Sequence, residues 1–543
     1  IGYDMVNLIV SLQGLVNRDE NLLYLNMTGA TQPMNTVSVD NFWLDELLKD
    51  GGYLEGKTVQ VIRKPGTLLR IFRDYYSGLV VWDEDVPATS NVASTACGVE
   101  NLLPVRYDDK AYSMYNILVT EYEMEVKLDL AGKFTGRGKI PDTNRESTGS
   151  KKNDAYLWAY ERYMVPGLVS KTDMAYYTDA FSWDTSGTAY SYTFYHYMPN
   201  YQYEFLFLGN RDYNIAQKSF FYDLFPYEEA TGWTPNDDID QDPGEDYRTL
   251  ELLYTRQREL AGEHMIYIHG YNNYYAKYSS GNNNVPNDMI SQDGDVANEG
   301  VHGRMIAKYY ASAMGDGTSY VNVCNRSIYA KMPRIDYAAL TSPEPENSDR
   351  SAENKYYFAF YMGDYDSSSW PYALIPTFWN DPNRGKIPLM WPVSPAAERF
   401  IPNVYEYMYE NRTENDYFVG ANNGAGFMDT AIMNTIDVGG GKTMLDRFCV
   451  DTGAEYERLG LDVMGCLILA GPDSAIRKFA GQTLVGGEKL KAVFSTFWSG
   501  YDGGSRIDYK FDGVVVPGIQ FDMVGRGWYS RQKMHLPTIC SPS

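Results

Sequence analysis

Tyr356-Tyr357-Phe358-Ala359-Phe360-Tyr361-Met362-Gly363-Asp364-Tyr365-Asp366 opens the stretch, residues 355–430, whose reading decides the fold of this chain. Two more apolar runs follow, at 387–391 and 417–420. Each run opens into a polar turn: Asp364 and Asp366 after the first, Pro392 and Ser394 after the second, Asn422, Asn423 and Gly424 after the third. Short apolar runs bounded by turn formers read as strands buried on both faces. Strands that repeatedly deliver carboxylates, amides and Trp at their C-terminal ends are the pattern of an α/β barrel with its site on one face. That layout suits an enzyme acting on a polar, ring-shaped substrate.

The same pattern extends outward. Further strands are expected at 265–269, 320–323, 463–469, 492–497 and 513–517, with helices at 247–260, 304–313, 396–411, 444–452 and 474–479. Seven or eight such units predict a C-terminal (β/α)7-8 TIM-like barrel over residues 241–543. The insertion 272–299, rich in Asn, Asp, Gly and Tyr, follows the first of these strands and is expected over the active face. Upstream, helical patterns at 4–16, 41–49 and 67–75 alternate with apolar runs at 22–25, 58–62 and 79–82, as in a layered α/β unit. A polar loop at 134–153, a strand at 203–208 and a helix at 214–225 come next. Turn formers and charge concentrate at 228–245, which sets a domain boundary near 240. Residues 1–240 then form an accessory α/β region with room for two subdomains.

At 543 residues the chain exceeds what one hydrophobic core serves. Its net charge of −24 argues against nucleic acid and anionic membranes, because phosphate backbones need clustered Lys and Arg. No apolar run approaches a membrane span. Five scattered cysteines show no ligand or disulfide pattern, and no metal or cofactor is implied. The 48 Tyr and 10 Trp are unusual, and such rings suit carbohydrate as well as core packing. No signal peptide is present in the chain; the composition is compatible with export, and a periplasmic or extracellular location is expected.

Several signatures fail. Gly441-Lys442-Thr443 resembles a phosphate loop, but Ile436 stands where its first glycine belongs. Asp364-x-Asp366-x-Ser368 starts like a calcium loop, but Ser369 and Ile375 occupy its glycine and glutamate positions. The Asp364/Asp366 pair remains, able to divide between proton transfer and holding a hydroxyl, or to cap a turn. Glu299 precedes a helix, as a catalytic acid or as a residue favoured by the helix dipole. Tyr271, Tyr274, Tyr275 and Tyr278, with Trp391 and Trp498, are candidate stacking platforms. His269 ends a strand and either faces the site or is a satisfied core histidine.

Asn422-Asn423-Gly424-Ala425-Gly426-Phe427-Met428-Asp429-Thr430 resembles the motif that names the GxGYxYP family, a family assigned to glycoside hydrolysis from its fold. Both glycines match. Phe427 replaces the Tyr, and Asp429 and Thr430 replace the terminal Tyr-Pro. Ser11–Arg18 is similar to the family's N-terminal signature, and Phe221-Tyr222-Asp223-Leu224-Phe225-Pro226 with Asn236-Asp237-Asp238 to its interdomain segment. Asn325-Arg326-Ser327-Ile328-Tyr329 resembles its Asn-x-Ser-x-Tyr element, and Asp364-Tyr365-Asp366-Ser367 falls at its Asp-Gly-Asp-Asn. The resemblance implies an N-terminal α/β region before a barrel of the glycoside hydrolase type. It makes Asp364, Asp366 and Glu299 the acids to watch, with His269, Tyr271, Trp391, Asn422, Asn423, Phe427 and Trp498 around a carbohydrate ligand. Two rivals stand beside it: a non-catalytic glycan-binding protein, and a metal-dependent carbohydrate deacetylase, which would need His ligands beside an Asp.

Overall fold

The structure, a computed structural model, describes residues 2–26, 38–176, 211–226, 241–270, 298–314, 317–318, 321–340, 360, 368–421, 423–467, 478, 490, 492–496, 509–511 and 514–516. The chain divides into two compact units. Unit 1 comprises Ile1–Pro333, Ser367–Thr377 and Arg399–Val404; unit 2 comprises Arg334–Asp366, Phe378–Glu398 and Tyr405–Ser543.

Unit 1 is a mixed α/β body with two parallel sheets. Strands β1 (Gly78–Trp82), β2 (Leu102–Arg106) and β3 (Val126–Asp129) form the first, in the order β2-β1-β3. All five residues of β1 are buried, as befits the central strand of a parallel sheet covered on both faces. Helix Ala88–Glu100 connects β1 to β2, and sequence periodicity missed it. Its residues are small and polar, and they are buried from Ala88 to Gly98. Two of its hydroxyls bond back along the helix, Ser94 Oγ donating to the Ser90 carbonyl at 2.8 Å and Thr95 Oγ1 to that of Asn91 at 3.2 Å, while Asn91 Nδ2 donates outward to the Tyr156 hydroxyl at 2.9 Å. Tight burial, rather than an amphipathic face, selects its residues.

Strands β4 (Asp173–Tyr176), β5 (Phe220–Tyr222), β6 (Ile266–His269) and β7 (Ala311–Ala313) form the second sheet, all parallel, in the order β5-β4-β6-β7. Helices Arg211–Ala216, Glu245–Ala261 and Asn298–Ala307 lie in its crossovers. Helix Glu245–Ala261 buries Leu250, Leu253, Tyr254, Gln257 and Ala261, a stripe at three- and four-residue spacing. Glu245 and Asp246 favour its positive end, and Gly262, at φ +60°, ends it. A hairpin of β8 (Gly317–Thr318) and β9 (Val321–Asn322) follows.

In unit 2, β10 (Leu389–Val393), β11 (Asp416–Gly420), β14 (Val463–Leu467), β15 (Ala492–Thr496) and β17 (Val514–Val516) are parallel neighbours in that order, with β16 (Tyr509–Phe511) antiparallel at the edge. A small hairpin, β12 (Asp437–Gly439) with β13 (Lys442–Thr443), precedes helix Met444–Leu459. Thr443 and Asp446 close a capping box there, and Gly460 in the left-handed region ends the helix. Met390 N–H donates to the Phe360 carbonyl at 2.9 Å, which places residue 360 beside β10; the rest of the run 356–362 lies outside the described residues.

The strands expected at 79–82, 265–269, 417–420, 463–469 and 492–497 are present, within two residues at their ends. Among the described residues no closed barrel is seen among the parallel strands. Strands β5 and β6, before and after residue 240, share one sheet. Other expectations are corrected. The helix expected at 214–225 ends at Ala216, and Phe220–Tyr222 is strand instead. The helix expected at 304–313 spans Asn298–Ala307, and β7 takes its last residues. The helix expected at 396–411 is broken between Glu398 and Pro402, since proline starts a helix better than it continues one. Among the described residues, 58–62 pair with no strand, and they are largely exposed. The strand at 203–208 lies outside the described residues.

Two segments that resemble family signatures meet in unit 1. Gln13 Nε2 donates to Asn325 Oδ1 at 2.6 Å and Asn17 Nδ2 to Ser327 Oγ at 2.9 Å. Asn17 Oδ1 also accepts from the Leu22 and Leu23 amides, and Asn325 exchanges hydrogen bonds with both backbone groups of Leu25. Asn17 is therefore a buried hub without which four polar groups lose a partner. Asn17→Ala is expected to lower stability by about 2–4 kcal/mol, the cost of orphaning buried donors and acceptors. Urea unfolding would measure it, and a loss below 1 kcal/mol, the scale of ordinary surface substitutions, would remove Asn17 from that role.

Candidate functional site

In parallel α/β sheets ligands sit at the carboxyl ends of the strands. In unit 2 the loop after β11 occupies such an end. It starts at Gly420, opposite Val393 at the end of β10. A Cβ on Gly420 would lie 1.8 Å from the Tyr456 hydroxyl, and one on Gly424 2.5 Å from Thr452 Oγ1. Thr452 and Tyr456 are one turn apart on helix Met444–Leu459, so glycines four apart receive side chains four apart. Thr452 Oγ1 also accepts from the Ala425 amide at 3.1 Å. The glycine spacing thus seats the loop against a helix.

Within that loop Asn423 has φ +61° and is 1% exposed. Its Nδ2 donates to the Met428 carbonyl at 3.1 Å, while Oδ1 has no hydrogen-bond partner. A buried amide oxygen without a donor is an acceptor available to a ligand hydroxyl. Phe427 is buried in the same loop. Asp429 caps helix Thr430–Met433, accepting from the Ala431 and Ile432 amides. It stands where the family motif has Tyr-Pro, and it is used in capping.

His269, at the end of β6 in unit 1, is fully buried. Its Nε2 lies 2.8 Å from Asp173 Oδ1 and its Nδ1 3.1 Å from Arg326 Nη2. Guanidinium only donates, so Nδ1 must accept and the proton is assigned to Nε2, which donates to Asp173. The imidazole therefore relays a buried Arg–Asp pair. Tyr213, Thr172 and Ser170 hydroxyls complete the Asp173 shell. Burial raises the Asp173 carboxyl, but the hydrogen bonds from His269, Thr172 and Tyr213 outweigh it and hold its pKa below the ordinary value.

Asp212 behaves oppositely. Its Oδ2 accepts from the Ser327 amide and hydroxyl, and Oδ1 has no partner. Burial pushes it up to about 6, only partly offset by Ser327 and Arg326. Sequence reasoning missed Asp173, Tyr213 and Asp212, which no local pattern marks. Arg326 was within reach, as the variable position of the Asn-x-Ser-x-Tyr element.

The structure unites Asn423 and Phe427 in one loop. It places Trp391 in mid-strand, 3% exposed, with its indole N–H on Asp416 at 2.8 Å and its ring 4.7 Å from that of Trp379. Since β10 starts at Leu389 and runs to Val393, Trp391 packs inside the sheet and does not end it. Glu299 lies in the first turn of helix Asn298–Ala307. That helix is fixed by His302, stacked on Tyr176 at 5.2 Å and lowered to about 4 by burial. Asp364, Asp366, Tyr271, Asn422 and Trp498 lie outside the described residues, as do Tyr274, Tyr275 and Tyr278. Among the described residues no helix is long and apolar enough to cross a membrane.

Two family models match the chain. Residues 354–489 match the "GxGYxYP putative glycoside hydrolase C-terminal domain", and residues 76–165, which hold the first sheet, match the "GxGYxYP_N second domain". A solved structure described as a "putative hydrolase from Bacteroides thetaiotaomicron" superposes with a TM-score of 0.62 at 16% identity, covering 95% of this chain and 77% of that one. This similarity establishes a common α/β fold. No curated protein matches.

Gly424 has φ +99°, so Gly424→Ala combines backbone strain with the Thr452 clash. It is expected to cost about 2–4 kcal/mol, read as a lower urea midpoint at unchanged slope. For Asp212 the folded pKa lies above the unfolded one. Its contribution is therefore complete below about pH 4 and lost as pH rises through about 6. Asp212→Asn is expected to stabilise the fold by about 2–3 kcal/mol at pH 8 and by little at pH 4. Equal effects at both pH values would show that Asp212 does not titrate in this range.

Proposed function

We propose, from the two GxGYxYP domains that this chain matches, that it hydrolyses glycosidic bonds. The observation that carries this most is the match over 354–489, which encloses Asp364, Asp366 and the loop holding Asn423. Hydrolysis needs one protonated carboxyl to give the leaving oxygen its proton. A second, ionised carboxylate attacks the sugar or activates water. The pair is drawn from Asp364, Asp366 and Glu299. The open Oδ1 of Asn423 supports a hydroxyl-bearing ligand, because a sugar O–H would satisfy it. Asn422, His269, Tyr271, Trp391, Phe427 and Trp498 belong to the same proposal as substrate-facing or supporting groups. A (β/α) barrel built from the parallel strands and an exported location belong to it too. A crystal structure with two separate open sheets would remove the first, and fractionation of the natural protein to the cytoplasm the second.

A second reading has its own support. Asp429 is committed to a helix cap and Phe427 lacks the hydroxyl of the family's Tyr, so the scaffold would bind glycans without cleaving them.

The test is release of reducing ends from a panel of oligosaccharides and aryl glycosides by the full chain, with Asp364→Asn, Asp366→Asn and Glu299→Gln. Turnover that at least one variant lowers by about 10²–10⁴-fold, the worth of a general acid or base, is expected. Binding without turnover in the wild type would decide for the glycan-binding reading. Turnover that survives all three substitutions would clear these carboxyls of the chemistry.

A further inference from the structure

Residues 57–73 differ from the rest of the chain in charge. Lys57, Arg63, Lys64, Arg70 and Arg73 fall there with no Asp or Glu, in a protein of net charge −24. All five side chains are on exposed residues, and among the described residues none takes part in an ion pair. The nearest acids along the chain are Glu55 and Asp74, on either flank.

The first half of this stretch has a second property. Thr58-Val59-Gln60-Val61-Ile62 has a strand-forming composition, with β-branched residues at four of five positions. The segment runs without helix, turn or bend, and Lys64 at its end has β-region dihedrals, φ −111° and ψ 113°. It pairs with no strand, and among the described residues the backbone of residues 58–63 makes no hydrogen bond. Val59 is 50% exposed and Val61 71%. A β-prone segment with a free row of N–H and C=O groups is a template for an added strand.

We propose that residues 57–64 form a docking edge for an extended, acidic peptide segment of a partner protein, added as a β-strand. The backbone row supplies the hydrogen bonds. Val59 and Val61 supply apolar contact on alternate positions, and Lys57, Arg63 and Lys64 at the two ends select negative charge. Pairing with the same segment of a second copy is disfavoured, since antiparallel pairing about Gln60 sets Lys57 against Arg63. The proposal does not depend on the hydrolase reading, because it concerns a different surface of the chain.

Fluorescence anisotropy on the full chain would test it. The probes are an octapeptide alternating Glu and Val, its Lys–Val counterpart, an acidic octapeptide of equal charge interrupted by proline, a heparin fragment and a single-stranded oligonucleotide. The Glu–Val peptide is expected to bind and the Lys–Val peptide not. Val61→Pro, which removes an N–H and the strand geometry, is expected to weaken binding about tenfold or more, as is the proline-interrupted peptide. Arg63→Glu with Lys64→Glu is expected to weaken it about tenfold, and salt to weaken wild-type binding more than that variant's. All three substitutions are at exposed positions, and circular dichroism would verify the fold. Equal affinity for the proline-interrupted peptide, or no effect of Val61→Pro, would overturn strand addition in favour of a diffuse basic patch. Binding of heparin or oligonucleotide without the peptide would reassign the surface to polyanions, and absence of any binding would overturn the proposal.

Discussion

Arg326 is a guanidinium placed entirely out of water, and unit 1 is arranged around the need to tolerate it. Its guanidinium carbon lies 4.8 and 4.5 Å from the ring centroids of Tyr213 and Phe400, which supply cation–π attraction. Desolvating an unpaired cation would cost several kcal/mol, so a counter-charge must be close. Asp173 supplies it through the imidazole of His269, and Asp212 is close enough for its own carboxyl to feel the arginine's charge. The arginine's own turn is held in register by Asn325 and Ser327, which the N-terminal helix grips through Gln13 and Asn17. Residues some three hundred positions apart are thereby made into one polar core. Removing any member leaves another buried group unsatisfied, which explains why so polar an interior is built from such specific residues.

The two carboxylates of that core sit on opposite sides of their ordinary pKa. Asp173 has hydroxyl and imidazole donors on both oxygens, and the charged form is favoured. Asp212 has donors on one oxygen alone, and burial prevails. The contrast is one of donor count in equal burial, and it gives the fold opposite responses to pH at two neighbouring points.

The glycine-rich loop of unit 2 makes a similar point about motifs. Gly420 and Gly424 are needed because Tyr456 and Thr452 press against the backbone, and Asp429 is needed as a helix cap. Two residues of the resembling motif, Gly424 and Asp429, are thus used in packing and capping. Asn423 is buried and held at positive φ, with its amide nitrogen satisfied and its amide oxygen without a partner among the described residues.

What the sequence by itself determined is the class of the fold and most of its parallel strands. Runs such as 265–269, 417–420 and 463–469 are continuous in apolar character because strands buried on both faces require it. The helical patterns at 247–260 and 444–452 were equally legible, and the helices observed are Glu245–Ala261 and Met444–Leu459. Helix Ala88–Glu100 was not, because close packing on every side selects small residues and erases the stripe. Strand β5 was read as helix because three residues are too few to show a period of two. Trp391, expected at a strand end, lies mid-strand because β10 starts two residues later than its apolar run. Tertiary structure alone decided that His269 joins Asp173 to Arg326, and that residues 58–62 have the pattern of a strand with no paired strand among the described residues. Both depend on which segments arrive side by side, and contacts between distant residues leave no mark in local spacing.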